Sequence, residues 1–120
     1  MPFIKIKAGC EITEDRETAL KEQIGRAIDR IPGKSEKYLL LEFEDNCRLW
    51  LGGRNDEPVI YVEAAIFGNE DHYGFDSFAS EITEAFSGTL GIRPDHIFIK
   101  FEDISIWGAA GMCFDRRMYG

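Results

Sequence analysis

The sequence predicts an α+β fold, a two-layer arrangement in which tandem β-α-β units form a four-stranded sheet with two helices on one face. The chain contains an internal repeat at an offset of 58 residues, so that "YLLLEFED" at 38–45 corresponds to "HIFIKFED" at 96–103. In each half, apolar residues recur as in a strand, then at helical spacing, and then as a strand again. Each unit implies parallel strands joined by a right-handed crossover.

The first repeat covers about residues 2–45. Pro2–Ala8 alternates as a half-buried strand does, and Thr13 is a candidate helix cap with acidic residues directly after it. Pro and Gly at 32–33 should end the helix, and Leu39–Phe43 reads as a strand. The apolar stripe of this helix is Leu20, Ile24, Ala27, Ile28 and Ile31.

The second repeat covers about residues 60–103. Val59–Ile66 predicts a strand, and Asp76 or Ser77 is the expected cap of the second helix. Gly91 should end that helix, and Ile97–Phe101 predicts the last long strand. The apolar face of this helix consists of Phe78, Ile82, Ala85, Phe86 and Leu90.

Composition narrows the class of protein. The chain has 120 residues, so we expect a single domain over residues 1–120. A net charge of −8 without a dense Lys/Arg cluster argues against nucleic acid or an acidic membrane surface as a partner. No apolar run approaches the roughly 18 residues of a membrane span. The start shows no signal-peptide pattern, and three widely spaced cysteines indicate a reducing compartment. We therefore expect a cytoplasmic protein, with non-classical secretion left open.

The predicted architecture leaves one face of the sheet without helices. Its strands carry many apolar residues, so we expect something to cover this face. Two short apolar segments, "CRLWLGG" at 47–53 and "ISIWGAAG" at 104–111, resemble edge ribbons that pair with another subunit. The sequence therefore predicts a closed homo-oligomer.

Several short motifs, in this order and spacing, resemble the tautomerase superfamily, and in particular its branch around macrophage migration inhibitory factor. This resemblance covers nearly the whole chain. It implies a homotrimer of β-α-β-β-α-β subunits with cofactor-free active sites between neighbouring subunits. The motifs are "MPFIKI" at the start, "GK" at 33–34 with Tyr38, "LGG" at 51–53 with Glu57-Pro58, "IFG" at 66–68, and "GIRPDHIFIKFED" at 91–103.

The residues alone leave two interpretations of Pro2 open. Proline is tolerated at the first position of a strand, because that residue need not donate to the ladder. Alternatively, Met1 is removed and Pro2 becomes a free secondary amine. The resemblance implies the second interpretation, with Pro2 as the catalytic base. Burial or a nearby cation would lower the pKa of such an amine toward neutrality, which suits proton abstraction next to a carbonyl.

The resemblance also implies substrate-binding positions. Lys34 stands at the position of a lysine that binds the substrate carboxylate. Lys37 is a possible substitute, although we expect it to face solvent. A backbone N–H near the end of the third strand should contact the substrate. If the chain is aligned to the family at Glu57-Pro58, this N–H belongs to Phe67. If it is aligned by residue type, the N–H belongs to Ile66. The alignment therefore stays open by one residue.

Three further positions are candidates for the pocket. Phe98 stands where vertebrate members of the family have a tyrosine, so a phenol is lost and aromatic packing is kept. Lys100 stands where asparagine is frequent and adds a second cation if it reaches the site. Trp107 is a candidate for the pocket rim, together with Phe114, although tryptophans are more often core or interface residues.

The function implied is keto–enol tautomerisation of a phenylpyruvate-like α-keto acid. The alternative is a trimeric cytokine-like or other protein-binding module of the same fold with weak activity. A third hypothesis, hydration or decarboxylation of small unsaturated acids, generally needs an added arginine or acidic residue. The sequence alone does not place Arg54, Glu63 or Arg116 in that role.

Overall fold

The structure is a computed structural model that describes residues 1–118. Within these residues neither long helix is long and apolar enough to cross a membrane. In the part of the chain that the structure describes, four short 3-10 helices accompany the principal elements. The principal elements are β1 (Pro2–Ala8), α1 (Glu14–Ala27), β2 (Leu40–Glu44), β3 (Ile60–Phe67), α2 (Phe75–Leu90), β4 (Ile97–Ile104), β5 (Ile106–Ala109) and β6 (Met112–Asp115).

The main sheet has four strands in the order β2-β1-β3-β4. β1 is parallel to β2, and β3 is parallel to β4, as two right-handed β-α-β units require. The two central strands, β1 and β3, are antiparallel and join the units side by side. The predicted fold class is therefore confirmed, as a mixed sheet with both long helices packed on it.

Strict alternation along the strands separates a buried face from an open one. In β1 and β3 every second side chain is fully buried, and the intervening residues are only partly covered. The buried residues pack against the apolar stripes of α1 and α2. Phe78 and Phe86 are the largest fully buried side chains, and each contributes roughly 1.5–3 kcal/mol to folding. Both helices therefore lie on one face because only that face offers a core.

The start of α1 agrees with the sequence prediction, whereas the start of α2 does not. The Thr13 hydroxyl accepts a hydrogen bond from the Arg16 N–H at 3.4 Å. The predicted cap of α2 at Asp76 or Ser77 is wrong, because α2 begins at Phe75 after Gly74. Phe75 is buried in the first turn and stacks on Phe101, with ring centroids 4.6 Å apart. Burial of this ring outweighs the benefit of a polar cap.

The predicted ribbons have two different structures. Residues 104–111 finish β4 and enter a hairpin, in which β5 pairs with β6 of the same chain. Ala110 and Gly111 form its two-residue turn with φ angles of 52° and 77°, as a hairpin of this length requires. Residues 47–53 contain no regular strand; a turn closes there through a bridge between Leu51 and Arg54.

The open face of the sheet is more polar than the sequence suggested. Glu42, Lys5, Glu63 and Lys100 stand side by side across β2, β1, β3 and β4, with alternating charge. Oppositely charged cross-strand neighbours of this kind contribute roughly 0.2–1 kcal/mol each. The expectation that this face is too apolar for water is therefore wrong for its central row.

Gly74 provides a test of how closely the start of α2 packs against the backbone that follows α1. Its φ is 85°, and a Cβ there would lie 2.1 Å from the Arg30 carbonyl oxygen. Gly91 also has a positive φ of 70°, but a Cβ there would meet open space. Gly91→Ala should therefore cost about 1–2 kcal/mol. Gly74→Ala should cost about 1–3 kcal/mol more because the backbone must move. Urea unfolding checks this difference, and equal losses would contradict it.

Candidate active site

The site begins at the first residue of β1. Pro2 is buried and stands opposite Ile66 on β3. Because proline has no N–H, it fits the end of a strand without breaking the ladder. Its nitrogen is joined to Met1 in an amide, so it has no basic lone pair in this form of the chain.

Met1, which precedes Pro2, lies beside Phe67 and Lys34. Its carbonyl oxygen accepts a hydrogen bond from the Phe67 N–H at 3.4 Å. The pKa of its α-amine is lowered from 8.0 to about 5, chiefly by burial and further by the charge of Lys34 and a hydrogen bond with it. An amine at this place is therefore neutral at pH 7 and is available as a base.

Lys34 is fixed by the turn that follows the first helix. Gly33, with a φ of 79°, turns the chain, and the Lys34 N–H donates to the Ile31 carbonyl at 3.1 Å. The Lys34 side chain is half-buried, and its Nζ donates to the Phe67 carbonyl at 2.6 Å. The ammonium group is thus held at the end of β3, next to the start of the chain.

The backbone of Phe67 forms hydrogen bonds with both Lys34 and Met1. Its carbonyl binds Lys34, and its N–H binds the carbonyl of Met1. Ile66, the other candidate for the substrate contact, pairs with Pro2 and buries its side chain in the core. The N–H beside the start of the chain therefore belongs to Phe67.

A cleft of about 330 Å³ opens beside Lys34 and Phe67. Asn69 is buried in its wall, and its Nδ2 donates to the Pro32 carbonyl at 3.3 Å, which braces the turn before Lys34. Neither Met1 nor Pro2 is among the residues that line this cleft. The lining residues are Pro32, Lys34, Phe67, Gly68, Asn69, Glu70 and Arg116.

Arg116 is a cleft residue that the sequence did not assign. Its Nη1 donates to the Asp103 carboxylate, and its Nε lies 3.4 Å from the Glu70 carboxylate. The hydrogen bond that it donates to Asp103 raises the pKa of Arg116, so the guanidinium stays charged. The sequence contained no signal for this placement, because it depends on how the hairpin folds back.

The structure does not bring the remaining predicted residues to Pro2 within one chain. Phe98 is aligned with Tyr61 and, through it, with Lys7, at the opposite end of β1 from Pro2. Lys100 lies on the open face and pairs with Glu102 at 3.0 Å.

Trp107 lies in the C-terminal hairpin. It stands on β5 opposite Phe114 and is outside the wall of the cleft.

Comparisons with known proteins agree with this architecture. The family model of macrophage migration inhibitory factor (MIF) matches residues 1–114. A search of curated proteins finds no significant match. Among solved structures, MIF2 of Leishmania major has a TM-score of 0.86 at 20% identity, with 95% of this chain and 97% of that chain covered.

Two further solved structures show how widely the fold is shared. The MIF homologue of Prochlorococcus marinus has a TM-score of 0.81 at 27% identity, covering 93% of this chain and 98% of its own. A fused 4-OT, described as an asymmetric trimer, has a TM-score of 0.78 at 14% identity and covers 98% of both chains. The fold is thus that of the tautomerase superfamily. Within it, the chain belongs to the MIF family.

The amine of a retained Met1 should titrate with a pKa of about 5, because it is buried beside Lys34. Between pH 5 and 8 the folded chain then binds fewer protons than the unfolded chain, so this amine's contribution to stability rises with pH. NMR titration of ¹³C-labelled methionine measures the pKa directly.

Lys34→Met should raise the pKa of this amine but leave it below 8.0, because burial is the larger cause. Lys37→Met, at an exposed position, is the matched control and should leave the pKa unchanged. A pKa near 8 for the Met1 amine of the wild-type protein would contradict its burial beside Lys34.

Proposed function

We propose that the chain, once Met1 is removed, is a cofactor-free keto–enol tautomerase of phenylpyruvate-like α-keto acids with Pro2 as general base. Phenylpyruvate is the probe substrate that the family resemblance suggests. The proposal rests above all on one observation: Met1, the residue before Pro2, accepts a hydrogen bond from the Phe67 N–H, and burial and Lys34 lower the pKa of its α-amine.

Removal of Met1 would expose three complementary groups at one place. Pro2 would gain a basic secondary amine, and the Phe67 N–H would lose its present acceptor. The Lys34 ammonium would keep its bond to the Phe67 carbonyl and would still have two N–H donors. A base, a neutral donor and a cation are the groups needed to enolise a keto acid and to stabilise the resulting charge.

The surroundings favour a neutral Pro2 amine. An α-amine has an ordinary pKa of roughly 7.7–8.0. Burial and the nearby Lys34 charge, which lower the pKa of the Met1 amine, would act in the same direction on Pro2. The free base would therefore be abundant at neutral pH.

The reaction would proceed by transfer of one proton. The Pro2 nitrogen lone pair takes a proton from the carbon next to the keto group, and the C–H electrons form a C=C bond. The electron pair of the carbonyl moves to oxygen, which gives an enolate to which the Phe67 N–H or Lys34 can donate a hydrogen bond. The protonated Pro2 then gives its proton to the enolate oxygen, which yields the enol and frees the amine. Lys34 also attracts the carboxylate, and the reverse sequence returns the proton to carbon.

We also propose that the chain forms a homotrimer with sites between subunits. Phe98 and Lys100 lie away from Pro2 in one chain, so they can contribute to a site only from a neighbouring copy. The 4-OT structure of similar fold is itself described as a trimer. Such an assembly would also give the open sheet face and the C-terminal hairpin a partner.

The assembly prediction is tested by light scattering at micromolar concentration. The mass should be about three times the 13.7 kDa of one chain. A monodisperse monomer would contradict the trimer and would leave Phe98 and Lys100 without a role in the site.

Pro2→Gly tests the proposed base. The variant keeps a free amine after processing, but the amine is primary and less rigidly held. Its kcat/KM for enol-phenylpyruvate, followed by ultraviolet absorbance, should fall about 100-fold or more, as for loss of a positioned acid–base group. Pro58→Gly changes a proline away from the chain start and serves as the control. Undiminished activity in Pro2→Gly would exclude Pro2 as the base, and an inactive wild-type trimer would favour the protein-binding alternative.

A further inference from the structure

Arg116 is built into the wall of the cleft that contains Lys34. Its side chain is 25% exposed, and its backbone N–H donates to the Ser105 carbonyl at 2.9 Å. Asp103, 18% exposed, holds the Nη1 end of the guanidinium. The other carboxylate oxygen of Asp103 is buried without a hydrogen-bond partner among the described residues, so Asp103 depends on Arg116 for its charge balance. Arg116 is therefore a fixed part of the wall, held by Asp103, which does not itself line the cleft.

The contact between Arg116 and Glu70 is of a different kind. Glu70 is 71% exposed, and its carboxylate lies 3.4 Å from Nε, which is long for a charge-assisted hydrogen bond. Exposed pairs of this type contribute little to stability. The contact with Glu70 thus shows that the guanidinium can bind a second carboxylate on the side of the cleft. Because Glu70 is exposed and weakly held, its carboxylate can easily move away from Arg116.

We propose that Arg116 binds a second carboxylate of the substrate in place of Glu70, so that the cleft prefers α-keto dicarboxylates to α-keto monocarboxylates. Lys34 would hold the carboxylate next to the keto group. This inference rests on the proposed function for the position of the keto acid, and it deepens that proposal by naming a substrate class.

The charges in the cleft explain why such a preference would arise. With Glu70 in place, Lys34 and Arg116 are balanced by Asp103 and Glu70. When Glu70 turns out to solvent, two cations face one anion, and a dicarboxylate restores the balance at both ends. A monocarboxylate engages Lys34 alone and gains nothing from Arg116.

Calorimetry with two matched ligands tests the preference. 2-Oxoglutarate and 2-oxopentanoate have the same carbon chain and differ in the distal carboxylate. Processed wild-type protein should bind 2-oxoglutarate about tenfold more tightly, the effect of one charge-assisted hydrogen-bonded contact. Equal affinities, or no binding of either ligand, would overturn the proposal.

Variants assign the preference to Arg116. Arg116→Gln should abolish the tenfold ratio, and Arg116→Lys, which keeps a cation for Asp103, should reduce it even if the first variant folds poorly. Glu70→Gln should increase the ratio because it removes the competing carboxylate. Arg117→Gln is the matched control: Arg117 is 86% exposed and pairs with Asp115 outside the cleft, so the ratio should stay the same. A ratio that survives in both Arg116 variants would refute the assignment.

The two proposals can fail separately. Phenylpyruvate tautomerisation without discrimination between the two ligands would remove the role of Arg116 and leave Pro2 as the base. Discrimination that depends on Arg116 in a protein without tautomerase activity would remove the proposed reaction and keep the dicarboxylate site.

Discussion

The hydrogen bond from the Lys34 ammonium to the Phe67 carbonyl is the contact on which the candidate site depends. It joins the turn after α1 to the end of β3, and so connects the two repeats beside the first residue of the chain. A hydrogen bond to a charged group contributes roughly 1.5–3 kcal/mol. It also holds a cation where this charge, in addition to burial as the larger cause, lowers the pKa of the N-terminal amine. The fold thereby converts an ordinary chain terminus into a neutral base.

The sequence predicted the features that depend on local pattern. The period-2 alternation of Pro2–Ala8 and the cap at Thr13 each describe a short stretch, and the structure confirms both. The placement of Lys34 near Pro2 followed from the family resemblance, since spacing alone cannot show that a turn after α1 returns to the start of β1.

The features that the sequence did not predict depend on tertiary contacts. Gly74 precedes α2 instead of a polar cap because Phe75 stacks on Phe101 in the other layer. Arg116 reaches the cleft because the hairpin of β5 and β6 returns the chain to Asp103. The charged row on the open face depends on strand register, which a single sequence does not specify.

The central claim, that a free Pro2 amine is the base, is tested most directly by comparing two preparations of the same sequence. One preparation retains Met1 and the other lacks it, as verified by mass spectrometry. No side chain of Pro2, Lys34 or Phe67 differs between them. Enol-phenylpyruvate turnover is expected in the processed protein only, with the same fold and assembly in both. Full activity in the preparation that retains Met1 would contradict it.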